Sequence, residues 1–201
     1  MKITLLNRIL LLLTGLLAAW QVAVGINGAD LLPLIAYTAG FGVLLVAGLL
    51  LIILGFDALE SPIVVIVSTI IPLSLSLGLV WEYLTAYRAL YLLFVIVGFL
   101  AILITRLLPL QNKLPVIVLA IVHGIAGLTI FLLPIIYSLT GKARPVFGLV
   151  GVGGALIGVG GMMLSFLKVG RPLLSRQAIF KALPGLLLLM TAALVAGFAL
   201  A

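Results

Sequence analysis

LPVIVLAIVHGIAGLTIFLLPIIYSLTG, residues 114–141, holds no Asp, Glu, Lys or Arg. A helix rises about 1.5 Å per residue, so this stretch outreaches the roughly 30 Å hydrocarbon core of a bilayer. Its apolar residues fall on every face of such a helix, which leaves no side for water. Barrel strands alternate apolar and polar residues in pieces of about ten, and that pattern is absent here. The stretch reads as a membrane-spanning helix interrupted by one imidazole and a few hydroxyls.

Six more charge-free runs flank it, and the expected spans are 9–29, 31–56, 61–81, 89–105, 114–138, 145–167 and 182–201. All eleven Lys and Arg and all four Asp and Glu lie between them or at the N-terminus. A soluble domain carries about a quarter charged residues, whereas this chain has 7%, with 66% hydrophobic residues. The expected fold is therefore all-α: a single seven-helix transmembrane bundle over 1–201 with short loops between antiparallel neighbours.

In a soluble chain the net charge of +7 would point to nucleic acid; here its placement points to topology and no nucleic-acid partner is expected. With the N-terminus cytoplasmic, Lys2, Arg8, Arg106, Lys113, Lys168, Arg171, Arg176 and Lys181 lie inside, against Arg88, Lys142 and Arg144 outside. That asymmetry follows the positive-inside bias and puts the C-terminus outside. The longest gap, KVGRPLLSRQAIFK at 168–181, is expected along the anionic inner leaflet. The basic start and apolar core of the first span also resemble a signal peptide, but no convincing small-x-small cleavage site follows. The placement expected is a bacterial or archaeal cytoplasmic membrane. There is no cysteine, which removes disulfides, thiolate metal sites and Cys nucleophiles together.

Prolines punctuate the spans. Pro33, Pro62, Pro115 and Pro145 are read at helix starts, where a missing N–H costs little, and Pro184 near the start of the seventh. Pro72 and Pro134 fall inside helices and free the carbonyls of Ser68 and Ile130. A shift of 112 residues lays the first three spans on the last three, aligning Gly15 with Gly127, Pro33 with Pro145 and Pro72 with Pro184. Such a match suits a three-plus-one-plus-three repeat.

Three features inside the spans bear on function. In the sixth, Gly151, Gly154, Gly158, Gly161 and Ser165 form a seam without side-chain bulk, widened by Gly153 and Gly160. Small residues at this spacing let helix backbones approach closely, a main source of helix association in lipid. In the third, Ser68, Thr69, Ser74 and Ser76 surround Pro72, and Ser68, Thr69 and Ser76 are candidates to line a substrate path. In the fifth, His123 lies near the bilayer midplane among Ala120, Gly124, Ala126 and Gly127. It reads as packing glue, as part of a polar pathway, or as an axial ligand to haem or a chlorin, with Met162, Met163 or Met190 as the other ligand. No cofactor is required by the sequence.

Trp81, Glu82, Tyr83, Tyr87, Arg88 and Tyr91 read as an interfacial aromatic belt, joined by Trp20 and Gln21. Tyr83, Tyr87 and Tyr91 would share one face of a continuous helix. Asp57 and Glu60 read as a solvated loop without the third acid a divalent cation needs. All four acids fall outside the expected spans, which argues against ion-coupled transport. Lys181 at a helix edge does not suit a retinal Schiff base, and no metal-ligand cluster or Ser–His–acid set is present. No catalytic residue is assigned. The leading expectation is an accessory or assembly subunit of a membrane complex, joined to other subunits or to itself through the sixth helix. The alternatives are a small uncoupled permease for a neutral or amphipathic solute, and a pigment- or haem-carrying subunit using His123.

Overall fold

Thr4 opens the first helix: its hydroxyl accepts the backbone N–H of Asn7 at 3.2 Å, satisfying one of the four donors a helix start leaves free. Helix α1 therefore begins at Leu5, four residues before the expected span, and ends at Val24. Gly25 stops it with φ +67°, a left-handed backbone that favours glycine. Helix α2 (Leu31–Leu54) is stopped the same way by Gly55 at φ +78°. A 3-10 turn, Phe56–Glu60, leads into α3 (Pro62–Tyr83). Helices α4 (Arg88–Leu107), α5 (Leu114–Leu139), α6 (Gly148–Lys168) and α7 (Arg176–Ala199) follow. The structure, a computed structural model, describes residues 3–108, 113–168 and 174–200, without the side chains of Glu60, Ser165, Phe166 and Lys168. Among the described residues all regular structure is helical, and seven helices are long and apolar enough to cross a membrane.

The last helix begins six residues earlier than expected. Ser175 accepts the N–H of Ala178 at 3.2 Å, and this cap starts α7 at Arg176. Arg176 and Lys181 are thus helical, and Pro184 stands inside α7 rather than near its start. Pro72 is the eleventh residue of α3 and Pro184 the ninth of α7, so the two prolines sit at comparable depth. Of the expected basic loop, residues 169–173 lie outside the described residues.

Packing order makes six helices a ring: α1 on α2, α2 on α3, α3 on α5, α5 on α6, α6 on α7, and α7 back on α1. Helix α4 stands outside the ring, in the junction between α3 and α5. The neighbour relations of α1, α2 and α3 recur in α5, α6 and α7, and the two triplets meet through equivalent junctions. That is the packing a parallel three-helix repeat with a linker helix would produce.

Side chains fill the ring. At the end nearer Arg88, Phe198 packs on Tyr37 with ring centroids 4.7 Å apart, on Phe41 at 6.1 Å and on Phe147 at 6.4 Å. At the N-terminal end Phe56 stacks on Phe180, 5.0 Å apart and nearly parallel. A third cluster, with Ile66, Leu73, Ile102, Val122 and Ala126, ties α4 to α3 and α5. Lipid is as apolar as these side chains, so close packing and hydrogen bonds hold the helices together rather than escape from water. Aromatic pairs of this geometry add about 0.5–1.5 kcal/mol each beyond their area. Outward, Leu6, Ile53, Leu90, Ile121 and Leu189 are among many exposed apolar side chains, a surface that suits lipid and not water.

Candidate functional site

The glycine seam of α6 is divided between two environments. A Cβ on Gly154 would lie 2.7 Å from the Ile130 side chain and 2.9 Å from α5 backbone atoms, and one on Gly151 would meet the Phe131 carbonyl oxygen at 2.6 Å. Gly153 faces Leu194 and Gly160 faces Leu186, both on α7. Gly158 and Gly161 meet nothing within 4 Å, and neither do Gly124 and Gly127 of α5. Gly124 and Gly127 continue the α5 stripe that begins with Ile135 and Phe131. Open space therefore lies over these glycines toward the N-terminal end of the bundle, where Gly161 and Met162 are exposed. Ser165 belongs to α6, but its side chain is not among those described.

The hydroxyls around Pro72 are turned onto their own helix. Ser68 and Thr69 donate to the Val65 carbonyl at 3.0 and 2.8 Å, Ser74 to Ile70 at 2.6 Å, and Ser76 to Leu73 at 3.1 Å. Hydroxyls commonly re-satisfy a kinked membrane helix in this way. Thr69 and Ser76 are wholly buried. Two cavities adjoin α3, of about 410 and 370 Å³, and neither is lined by Ser68, Thr69, Ser76 or His123.

His123 is half-buried on α5, where Val122 and Ala126 face α3 and α4. Its Nδ1 is buried and makes no hydrogen bond of good geometry among the described residues, although the ring interacts with the Leu119 backbone one turn earlier. The methionines do not gather around it: Met190 belongs to the central core, Met163 packs into the cluster at the N-terminal end and Met162 faces outward. Among the described residues no three His, Asp or Glu side chains converge on a point.

The most organised polar group was not legible as one. Glu82 lies in the last turn of α3, which runs two residues beyond the expected span, so one carboxylate does stand within a helix of the bundle. It accepts a hydrogen bond of 2.8 Å from Tyr37 of α2, whose side chain is 1% exposed. Beside it, Tyr137 of α5 donates to the Tyr83 carbonyl at 2.7 Å, and Arg88 Nε donates to the Trp81 carbonyl at 2.6 Å. Both carbonyls are among the last four of α3, which have no partner within the helix. A cation here also complements the negative end of the helix dipole.

This arrangement corrects the belt reading. Leu84, at φ −126°, ends the helix, so Tyr83, Tyr87 and Tyr91 do not share a face. Tyr83 turns inward onto Tyr137 and Phe147, Tyr91 hydrogen-bonds Thr129 at 3.1 Å, and Tyr87 stays exposed. Trp20 is exposed as a belt residue would be, but Gln21 is 2% exposed and donates to the Gly25 carbonyl at 2.6 Å, capping α1. Asp57 stands in the 3-10 turn beside Phe56, which is buried against α7.

The chain matches no family model, no curated protein and no solved structure.

Proposed function

We propose that the protein is a non-catalytic, multi-pass subunit of a larger assembly in a bacterial or archaeal cytoplasmic membrane, N-terminus inside and C-terminus outside. It docks another transmembrane helix, from a different subunit or a second copy, against the half of the α6 seam that α5 leaves open. The observation that carries this reading is the division of the seam. Gly151 and Gly154 are consumed by contact with α5, while Gly158 and Gly161 keep the same spacing with open space above them. In lipid, close backbone approach at small residues is what draws helices together. The hydroxyls of α3 donate to carbonyls of their own helix, and Ser76 also meets Tyr91 of α4, so little polarity is left over for a solute path.

The chain contains no cysteine, which makes single-cysteine crosslinking clean. Gly158→Cys and Gly161→Cys, treated in native membranes with a short thiol-to-amine crosslinker, should give a discrete adduct. Leu93→Cys on the exposed face of α4 serves as the lipid-facing control. Gly158→Leu should abolish the adduct formed from Gly161→Cys without lowering the amount of folded protein. Equal adduct yields from positions 161 and 93 would end the proposal.

A further inference from the structure

The cavity of about 410 Å³ between α2, α3 and α4 is a groove open to the lipid-facing surface, far from the α6 seam. Its walls include Ile35 and Ala39 of α2, Leu73 and Leu77 of α3, and Ile96 and Leu100 of α4. Ile35, Ile96 and Leu100 are exposed along it. Ser74 is the one polar side chain in the lining, and its hydroxyl is bonded to the Ile70 and Ile71 carbonyls at 2.6 and 3.2 Å. The walls are therefore apolar in effect. Along α4 the lining runs from Val95 to Leu100, and Arg88 lies two turns before it, about 10 Å away at about 1.5 Å per residue.

Charge lies at one end of this groove only. Leu73 and Leu77 share a face of α3 with Trp81, one turn further on. Ile96 shares a face of α4 with Arg88, two turns back. Asp30 precedes α2 directly. Arg88 bridges the three helices: its guanidinium lies 5.3 Å over the Trp81 ring, its Nε bonds the Trp81 carbonyl, and a terminal nitrogen stands 3.8 Å from Asp30. At 3.8 Å the ion pair is loose, beyond hydrogen-bond length. The Asp30 side chain is 70% exposed and caps no helix N–H. A cation with unused donors and an exposed, loosely paired carboxylate thus stand side by side beyond one end of the groove.

We propose that this groove holds one phospholipid of the phosphatidylethanolamine type. One acyl chain lies along α2, α3 and α4, the phosphate rests on Arg88, and the primary ammonium rests on Asp30. Arginine suits phosphate because its planar fork donates two bonds at once. A primary ammonium carries three N–H donors for the Asp30 carboxylate, which a trimethylammonium lacks, and a glycerol headgroup brings no positive charge at all.

The test is native mass spectrometry of the purified chain after exchange through equimolar phosphatidylethanolamine, phosphatidylcholine and phosphatidylglycerol of the same acyl composition. The wild type should retain one phosphatidylethanolamine per chain, at least about tenfold above either competitor. Asp30→Asn, at an exposed position, should bring the ethanolamine-to-choline ratio close to one. Arg88→Gln should lower retention of all three lipids, and Ala39→Trp should fill the groove and abolish retention. No retained lipid, equal retention of the three by the wild type, or an unchanged ratio in Asp30→Asn overturns the proposal. Crosslinking of a protein helix to Ala39→Cys would overturn it equally. The wild-type selectivity decides even if a variant fails to fold.

Discussion

Adding one methyl group at each of two seam glycines should have opposite effects. At Gly154 the new Cβ would sit 2.7 Å from Ile130 Cγ2 and 2.9 Å from both the Ile130 carbonyl carbon and the Phe131 nitrogen, where ordinary contact begins at 3.4 Å. Two of those three atoms are backbone, so no rotamer change relieves them. Helices α5 and α6 must separate by about 0.5–0.7 Å at their closest approach, and gaps of that size forfeit about a quarter or more of the dispersion energy of the atoms lining them. Gly154→Ala should therefore cost about 1–3 kcal/mol, the range for overpacking a filled interior. At Gly158 the Cβ meets nothing within 4 Å, and alanine favours helix over glycine by up to about 1 kcal/mol. Gly158→Ala should be neutral or stabilising in the isolated chain. The assay is unfolding in mixed micelles by titration with a denaturing detergent, followed by the fluorescence of Trp20 and Trp81. Equal midpoints for the two variants, or a larger loss at Gly158, would refute the packing of α5 on α6 described above.

Two further outcomes follow from buried polar groups. Tyr37→Phe removes the donor to Glu82 while keeping the ring on Phe198, and should lower stability by about 1–3 kcal/mol in the same unfolding titration. Glu82→Gln, whose amide oxygen still accepts from Tyr37, should lose less, and the reverse order would show that the hydrogen bond is not what Tyr37 contributes. His123→Leu removes a buried ring nitrogen that makes no good hydrogen bond among the described residues, so stability should hold or rise. The visible absorption spectrum of the purified protein should be the same with and without that change. A loss of an absorption band in His123→Leu would restore the pigment reading, and a loss of stability above about 1 kcal/mol would mean that His123 has a polar partner.

Much of this architecture is carried by residues that can be read singly. Charge exclusion marks the seven helices, because a charged side chain in hydrocarbon is costly whatever surrounds it. Thr4, Gly25, Gly55 and Ser175 place helix ends through local hydrogen bonds and local backbone angles. The charge-free spans fall short of the helices at the start of α1, the end of α3, both ends of α4 and the start of α7 for one reason: Arg8, Glu82, Arg88, Arg106 and Lys181 bound them, whereas a helix continues through a charge near the interface where the side chain can reach water. Ser175 sets the start of α7, which brings Pro184 to a depth comparable with that of Pro72.

Contacts between distant positions are a different matter. That Gly151 and Gly154 face α5 while Gly158 and Gly161 face open space depends on the angle at which two helices cross, and both pairs read alike in the chain. Glu82 looked like a loop acid among belt aromatics; its tie to Tyr37, 45 residues away, exists only because the ring closes α2 against α3. The placement of α4 outside the ring, which creates the groove beneath Arg88 and Asp30, has no mark in the sequence either. The number of helices, and that each is long and apolar enough to cross a membrane, could be read from the chain alone, because those depend on solvation; the helix ends could be read only to within a few residues. Which small residues are spent inside and which remain outside follows from how the helices cross, because in lipid all the apolar faces are equally welcome and packing alone distinguishes them.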